Sequence, residues 1–251
     1  MLIQSSKQFE KNEMMAKIIQ GVSLLNNYEE ATSLVEALYN KTNVLVLSFI
    51  NAHAYNLCFS DNKFMKALIQ SDILLRDGIG MEILYKAIGK NPGENLNGTD
   101  YIPILINHFK GKKIALLGTK VPYLKRAAEK LSSDGHTVVL SETGFHPSEY
   151  YIPLLIDTAP DIIILGMGMP KQEKLSILIK EKLKINCIVI NGGAIIDFWG
   201  DKTSRAPTWL RKMKMEWVFR FLQEPHRLFA RYVIGNYRFL LRTRSLKRSI
   251  L

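Results

Sequence analysis

Asp77 is the first candidate for chemistry in this sequence. It lies between an arginine and two glycines in the segment LLRDGIGMEIL, residues 74–84, where an apolar run meets a helix-like segment. An aspartate before glycine is commonly a turn residue or a helix N-cap, because its carboxylate accepts hydrogen bonds from nearby backbone N–H groups. A carboxylate here is also suited to act as a general base toward a substrate hydroxyl. If residues 74–77 are extended, Arg76 points to the opposite face.

Glycine-rich segments are the second candidates, because they let backbone N–H groups approach a phosphate. The segment GMGMPK, residues 166–171, has Lys171 where a dinucleotide-binding motif needs its third glycine. The sequence also lacks a GxxxxGK[ST] loop and any Asp-x-Asp pair. It therefore predicts no nucleotide cofactor and no metal site, and a bound diphosphate would be neutralised by cations and backbone amides.

These residues lie within a series of alternating strand-like and helix-like segments. This alternation predicts an α/β fold with a parallel sheet. Short β-branched runs end in Gly or Asp-Gly, at the sheet edge where open α/β folds bind ligands. The candidate strands are NVLVLSFI (43–50), DILLRD (72–77), KIALLG (113–118), TVVL (137–140), DIIILGMG (161–168) and CIVINGG (187–193).

Composition limits the class of protein. The chain has 251 residues, 47% of them hydrophobic, enough for a sizeable core. The cysteines, Cys58 and Cys187, fit neither a disulfide framework nor a zinc cluster, and the five histidines lack metal-ligand spacing. The N-terminal segment does not resemble a signal peptide, and no apolar run reaches the roughly 18 residues of a membrane span. We therefore expect a cytoplasmic protein.

The charge is concentrated in the last fifth of the chain. Residues 1–201 hold 21 basic and 21 acidic side chains, whereas residues 202–251 hold 13 basic and 2 acidic ones. In the segment from 226 to about 244, Arg227, Arg231, Arg238 and Arg242 fall within about 60° at 100° per residue. This predicts a basic amphipathic helix that binds an anionic membrane surface. A helical hairpin with solvated arginines explains the pattern equally well, and no nucleic-acid-binding module is recognisable.

An ordered set of motifs carries a family resemblance over about residues 40–245. They are RDGIGM (76–81), NGTDYIP (97–103), LLGTK (116–120), LGMGMPKQE (165–173), INGGAIIDFWGDKTSRAP (190–207) and EWVFRFLQEPHRLFARY (216–232). Together they resemble the WecG/TagA/CpsF family of bacterial glycosyltransferases. The resemblance implies a Rossmann-like α/β domain, here residues 1–200, with helices on both sheet faces. Residues 201–251 would form a basic helical C-terminal appendage that associates with the membrane and completes the active site.

The resemblance also implies an activity and its partners. It implies inverting transfer of a sugar from a UDP-sugar donor to an undecaprenyl-diphosphate-linked saccharide acceptor, in cell-surface polysaccharide biosynthesis. The enzyme would be peripheral on the inner face of the bacterial plasma membrane, would need no metal and would not bind nucleic acid. The resemblance leaves the oligomeric state open, with a homo-oligomer as one alternative.

Site residues follow from the matching motif positions. The resemblance makes Asp77 the general base. It assigns substrate binding to a larger set: Asn51, Gly98, Asp100, Gln172, Gly192, Gly193, Asp197, Arg220, Arg227 and Arg231. Several of these residues have simpler structural interpretations. Asp100 could cap a helix, and Gln172 could be a polar residue in the first turn of one. Gly192 and Gly193 could form a plain turn, and the arginines could be solvated.

Two positions depart from the family pattern. Phe49 stands where the family usually has threonine, and Asn95 stands where it usually has arginine. Both lie near the implied substrate site, so the identity of the donor and acceptor sugars is left open. The alternative class is a non-catalytic module that binds a sugar nucleotide or an anionic lipid, and such a module has no need for a proton-accepting Asp77.

Overall fold

The computed structural model describes the backbone of residues 2–250 and the side chains of residues 11–211, 213–226 and 228–247. It contains a sheet of seven parallel strands, which confirms the predicted α/β fold. The strands are β1 (Val22–Ser23), β2 (Val44–Ile50), β3 (Ile73–Arg76), β4 (Lys113–Gly118), β5 (Thr137–Glu142), β6 (Ile162–Gly166) and β7 (Cys187–Asn191).

The strand order is β1-β3-β2-β7-β6-β4-β5. Each of the six predicted strands is present, and β1, with only two residues, is an addition that hydrophobic periodicity could not reveal. The central strands β2 and β7 pair from Val44 with Cys187 to Leu47 with Ile190. Both are completely buried, as expected for parallel strands covered on two faces.

Helices cover both faces of the sheet and bury its apolar side chains in three clusters. One face carries α2 (Tyr28–Tyr39), α6 (Gly98–His108), α7 (Tyr123–Ser133) and α10 (Ile195–Trp199). The other carries α1 (Leu2–Gly21), α3 (Ala52–Cys58), α4 (Asn62–Ile69), α5 (Gly78–Ala87), α8 (Tyr151–Thr158) and α9 (Lys171–Lys182), with a 3₁₀ turn at Ser148–Tyr150.

The C-terminal segment is helical, but it is more broken than its sequence pattern predicts. It contains α11 (Thr208–Lys212), α12 (Glu216–Gln223), α13 (Pro225–Phe229), a π-helical turn at Ala230–Ile234 and α14 (Gly235–Ile250). The chain breaks between α11 and α12, where Lys214 has a φ of 60°. Local periodicity cannot reveal such a break.

The arginines of this segment have different surroundings. Arg231 faces a cavity, Arg238 is exposed, and Arg242 donates to Oδ1 of Asn56 over 2.6 Å. Arg231 lies within the π-helical turn and the other two lie after it, so the wider i→i+5 winding of the turn departs from the count of 100° per residue. The side chain of Arg227 lies outside the described residues.

The C-terminal segment packs on the α/β body through a few anchors. Phe239 is 2% exposed and makes an edge contact with Tyr55 of α3, with ring centroids 5.3 Å apart. Lys214 pairs with Glu82 of α5 at 2.7 Å. Within the described part of the chain, no helix has both the length and the hydropathy needed to cross a bilayer.

Candidate active site

A cavity of about 470 Å³ opens above the carboxyl ends of the strands. Asn51 follows β2, Asp77 follows β3, Thr119 follows β4, Gly168 follows β6 and Gly193 follows β7, and all five line it. The parallel arrangement brings these residues to one edge although they are distant in sequence. This is where open α/β sheets place ligands.

Asp77 occupies the N-cap position of α5, but its side chain makes no capping hydrogen bond. Its Oδ2 instead accepts from Nδ2 of Asn51 over 3.2 Å. The other end of the Asn51 amide caps α3, because its Oδ1 accepts from the backbone N–H of Ala54 over 3.0 Å. Asn51 is therefore held by its own helix and steadies a carboxylate that faces the cavity.

A different residue accepts the hydrogen bond from the first backbone N–H of α5. Oδ1 of Asn95 accepts from the N–H of Gly78 over 2.7 Å. Arg76 is turned away from the cavity, as predicted, since its guanidinium donates to the carbonyls of Pro92 and Gly93, each at 2.9 Å. The Asp77 carboxylate is thus paired neither with a cap nor with its neighbouring arginine.

His53 also lines the cavity, in the first turn of α3. Burial, aided by the positive charge of Arg231, lowers the pKa of His53 to about 4. The imidazole is therefore neutral near pH 7 and can offer one donor and one acceptor to a substrate. The histidines lack metal-ligand spacing in the sequence, and only the fold places His53 in the cavity.

The side chain of Gln172 is 1% exposed and joins two loops of the cavity. Its Oε1 accepts from the backbone N–H of Gly168 over 3.1 Å and from that of Gly193 over 3.2 Å. Its Nε2 donates to Oε1 of Glu173 over 2.9 Å. Both glycine N–H groups thus donate to the Gln172 amide, which holds the two loops together beside the cavity.

Gly98 and Asp100 begin α6 but have different surroundings. Gly98 lines the cavity, and a Cβ atom there would lie 3.2 Å from the ring of Phe49, so a larger residue would have to displace that ring. Asp100 is not among the lining residues. Its Oδ1 pairs with Arg205 at 2.9 Å and with Arg211 at 3.3 Å, so it fastens the C-terminal segment to the body.

The charges around Asp100 affect its ionisation. Burial alone would raise the pKa of Asp100, but hydrogen bonds from Arg205 and Asn97 and the charges of Arg205 and Arg211 outweigh it and lower the pKa. The expected helix cap is supplied by Asn97, whose Oδ1 accepts from the N–H of Asp100 over 3.0 Å.

Asp197, in α10, lies at another wall of the cavity with Thr119 and Lys202. Its Oδ1 accepts from the hydroxyl of Thr119 and from Nζ of Lys202, the latter over 2.9 Å. Thr119 has a φ of 31°, an unusual value for a β-branched residue. Such strain often marks a functional site, and here it follows the strand end in the LLGTK motif.

Gly192 and Gly193 connect β7 to α10. A Cβ atom on Gly192 would lie 2.7 Å from Ile195, so close packing requires glycine there. Gly193 has a φ of 62° and open space around its Cα, which leaves it accessible from the cavity. Gly192 therefore allows the close packing of the turn, and the adjacent Gly193 is open to a ligand in the cavity.

The C-terminal segment supplies cations to the cavity wall through Arg220 and Arg231. The guanidinium of Arg220 lies 4.9 Å from the ring centroid of Phe198 and 3.5 Å from a carboxylate oxygen of Glu216. It is therefore positioned by both a ring and an acid. For the part of the chain that the structure describes, no group of three or more His, Cys, Asp or Glu side chains is arranged to hold a metal ion.

Comparison with known proteins adds to this geometry. The model of the Glycosyl transferase WecG/TagA/CpsF family matches residues 17–250. Two similar proteins are both named N-acetylglucosaminyldiphosphoundecaprenol N-acetyl-beta-D-mannosaminyltransferase. The one from Bacillus subtilis (strain 168) is 26% identical over 187 residues, which cover 72% of this chain and 73% of the relative. The one from Staphylococcus aureus (strain MW2) is 24% identical over 197 residues, which cover 74% of this chain and 75% of the relative.

Proposed function

Since this chain belongs to the WecG/TagA/CpsF family of glycosyltransferases, we propose that it transfers a sugar from a UDP-sugar to an undecaprenyl-diphosphate-linked saccharide, with inversion at the anomeric carbon. The observation that carries the proposal is the position of Asp77, whose carboxylate faces the cavity and does not cap α5. The names of the relatives support the lipid-linked acceptor.

In the proposed reaction, Asp77 accepts the proton of an acceptor hydroxyl. The hydroxyl oxygen forms a bond to C1 of the donor sugar as the bond from C1 to the diphosphate oxygen breaks, and UDP leaves with that electron pair. An inverting transfer needs a single base on the face opposite the leaving group. The hydrogen bond from Asn51 holds the carboxylate in place for this step.

Cations from the C-terminal segment would stabilise the leaving UDP. Arg220 and Arg231 line the cavity, and guanidinium groups bind phosphate oxygens in a bidentate manner. Negative charge grows on the diphosphate in the transition state, so these contacts strengthen when they are needed. We propose that these arginines neutralise the charge without a metal ion. Arg227 stays a proposed contributor on the basis of its motif alone.

The donor is proposed only as a UDP-hexose. The relatives are named as N-acetylmannosaminyltransferases, but two residues differ from the usual family pattern: Phe49, which lines the cavity, and Asn95, which bonds the beginning of α5 beside Asp77. Phe49 packs its ring against Gly98, and the Asn95 amide bonds the N–H of Gly78. A sugar in the cavity would therefore meet the apolar ring of Phe49 in place of the usual threonine hydroxyl, and the arginine cation usual at position 95 is replaced by an amide that bonds the backbone.

We further propose that the C-terminal segment lies against the anionic inner face of the plasma membrane. It carries 13 basic and 2 acidic residues between positions 202 and 251. It also exposes large apolar side chains, among them Trp209 at 61% and Leu222 at 71%. Apolar insertion combined with basic residues, each contributing about 1 kcal/mol near an anionic surface, suits a peripheral protein.

The experiment that tests the proposed function is UDP release across a panel of UDP-sugars, with a short-chain lipid diphosphate-GlcNAc acceptor and EDTA present. We expect one donor to give release that depends on the acceptor. Release that requires added divalent metal would contradict metal independence. Binding of UDP-sugar without transfer in any combination would favour the alternative, a non-catalytic module that binds a sugar nucleotide or an anionic lipid.

A further inference from the structure

Glu173 is a buried acid that the proposed reaction does not use. It lies in the first turn of α9, is 1% exposed, and its Oε1 accepts the hydrogen bond from Nε2 of Gln172. Its Oε2 is buried and has no hydrogen-bond partner among the described residues. Lys174, the adjacent cation, pairs with Asp61 of the α4 cap at 2.6 Å instead.

A buried carboxyl group with an unpartnered oxygen lowers stability, because the lost hydration is only partly replaced. Desolvation also raises the pKa of Glu173 to about 7, with the amide of Gln172 and the charge of Lys174 acting in the opposite direction. An apolar side chain of similar size would avoid this cost. A purely stabilising role therefore does not explain an acid at this position.

The bond from Gln172 indicates what the acid does. The backbone N–H groups of Gly168 and Gly193 both point at one atom of the Gln172 amide, which must therefore be its oxygen. The other atom of the amide must then donate, and Glu173 provides the acceptor. Without that acceptor, a flipped amide would turn its NH₂ group toward two N–H donors.

Gly168 and Gly193 lie in the loops that follow β6 and β7, and both line the cavity. Each has a positive φ, 78° and 62° respectively, so each loop has a specific local conformation. The single oxygen of Gln172 sets the separation between the two loops. A change in amide orientation would therefore move both loops together.

We propose that Glu173 is a positioning residue for sugar transfer, fixing the orientation of the Gln172 amide so that the two glycine loops are held at the spacing that the donor nucleotide requires. This inference rests on the proposed function. Glu173 does not itself touch the substrate. It acts through Gln172, and its effect is on donor binding.

The test compares Glu173→Met, which removes the acceptor at similar volume, with Glu173→Gln, whose amide oxygen accepts the same bond. We measure the KM for the UDP-sugar, kcat, the Kd of UDP by calorimetry and the thermal midpoint. For Glu173→Met we expect donor KM and UDP Kd to rise about tenfold, the effect of losing one strong hydrogen bond, with a smaller change in kcat. We expect its thermal midpoint to change little, because removal of the buried carboxyl offsets the loss of the acceptor for Nε2 of Gln172. Glu173→Gln should remain within about twofold of the wild type.

Two further variants separate positioning from general disruption. Glu181→Met changes an exposed acid on the same helix and should leave every measured value unchanged. In the double variant Gln172→Met/Glu173→Met, donor KM should equal that of Gln172→Met alone, because the two residues act in series. Glu173→Leu replaces Glu173→Met if the latter does not fold.

Several results would overturn the inference. They are an unchanged UDP Kd in Glu173→Met, a loss of affinity that accompanies a matching loss of stability, or a Glu173→Gln variant as weak as Glu173→Met. Additive effects in the double variant would also contradict it. Failure of the proposed function is distinguishable, because the wild type itself would then transfer no sugar from any donor, whether or not it binds UDP.

Discussion

Asn51 donates a hydrogen bond from Nδ2 to Oδ2 of Asp77 over 3.2 Å, across 26 residues of sequence. This bond holds the Asp77 carboxylate toward the cavity, although the residue occupies the N-cap position of α5. The Asn95 side chain accepts from the N–H of Gly78, so the beginning of α5 does not depend on the carboxylate. A residue that sequence pattern favoured as a cap is therefore available as a base.

Asp77→Asn should remove turnover and keep the fold. The substitution eliminates the proton acceptor, and general-base catalysis typically contributes about 10²- to 10⁴-fold to the rate. We expect kcat to fall within this range while UDP affinity and the thermal midpoint stay unchanged. Asp157→Asn, at an exposed position on α8, is the matched control. A variant with near wild-type kcat would return Asp77 to a structural role.

Arg220 should contribute through both charge and shape. Replacement by glutamine removes the cation, and we expect kcat/KM to fall about 100-fold, as when one donor to a developing anion is lost. Arg220→Lys should recover only part of this, because an ammonium group lacks the planar surface that lies on Phe198. The measurement uses a water-soluble acceptor analogue, so that membrane binding does not contribute. Arg244→Gln, at an exposed position of α14, should behave like the wild type.

Glu173 should make the protein less stable as pH rises. Its folded-state pKa, raised to about 7 by desolvation, exceeds the ordinary value of 4.5, so the unfolded chain releases this proton first. Unfolding free energy therefore declines from about pH 4.5 to about pH 7 and stays low above it, by an amount on the order of 3 kcal/mol. Besides desolvation, the groups that act on this carboxyl are the amide of Gln172, the backbone N–H of Glu173 and the charge of Lys174, and all three lower its pKa.

Denaturation curves at about pH 5 and about pH 8 test whether the unfolding free energy falls as pH rises. Glu173→Gln cannot ionise, so its stability relative to the wild type should be greater at the higher pH. Glu181→Gln, which alters an exposed acid of the same helix, should give the same difference from the wild type at both values. A Glu173→Gln advantage that is independent of pH would show that the carboxyl does not titrate in this range.

The exposed apolar side chains of the C-terminal segment should govern membrane binding. Trp209→Ser and Leu222→Ser each remove a side chain suited to insertion, and we expect partitioning onto phosphatidylglycerol vesicles to weaken about tenfold per substitution. Activity on a soluble acceptor analogue should be unchanged. Ile156→Ser, on α8 with a similar exposure of 54%, is the control. Equal effects from all three variants would argue against a specific membrane-binding surface.

The amino-acid sequence by itself determined the α/β class and the order of the strands along the chain. β-branched runs of strand length alternate with helix-length segments, and this pattern depends on residues that are close in sequence. The six predicted strands agree with the structure to within about two residues at each end. The sequence also placed Asp77, Gly193 and other strand-end residues at one edge, since parallel strands share their carboxyl ends.

Only the tertiary structure decided what each side chain at that edge does. Asp100 pairs with Arg205 and Arg211, His53 enters the cavity, and Gln172 joins two loops through Gly168 and Gly193. These relationships join separate elements, and they depend on how helices and loops pack over the sheet. Burial likewise sets the pKa of Glu173, and burial is a property of the packed chain that the residue types around position 173 do not specify.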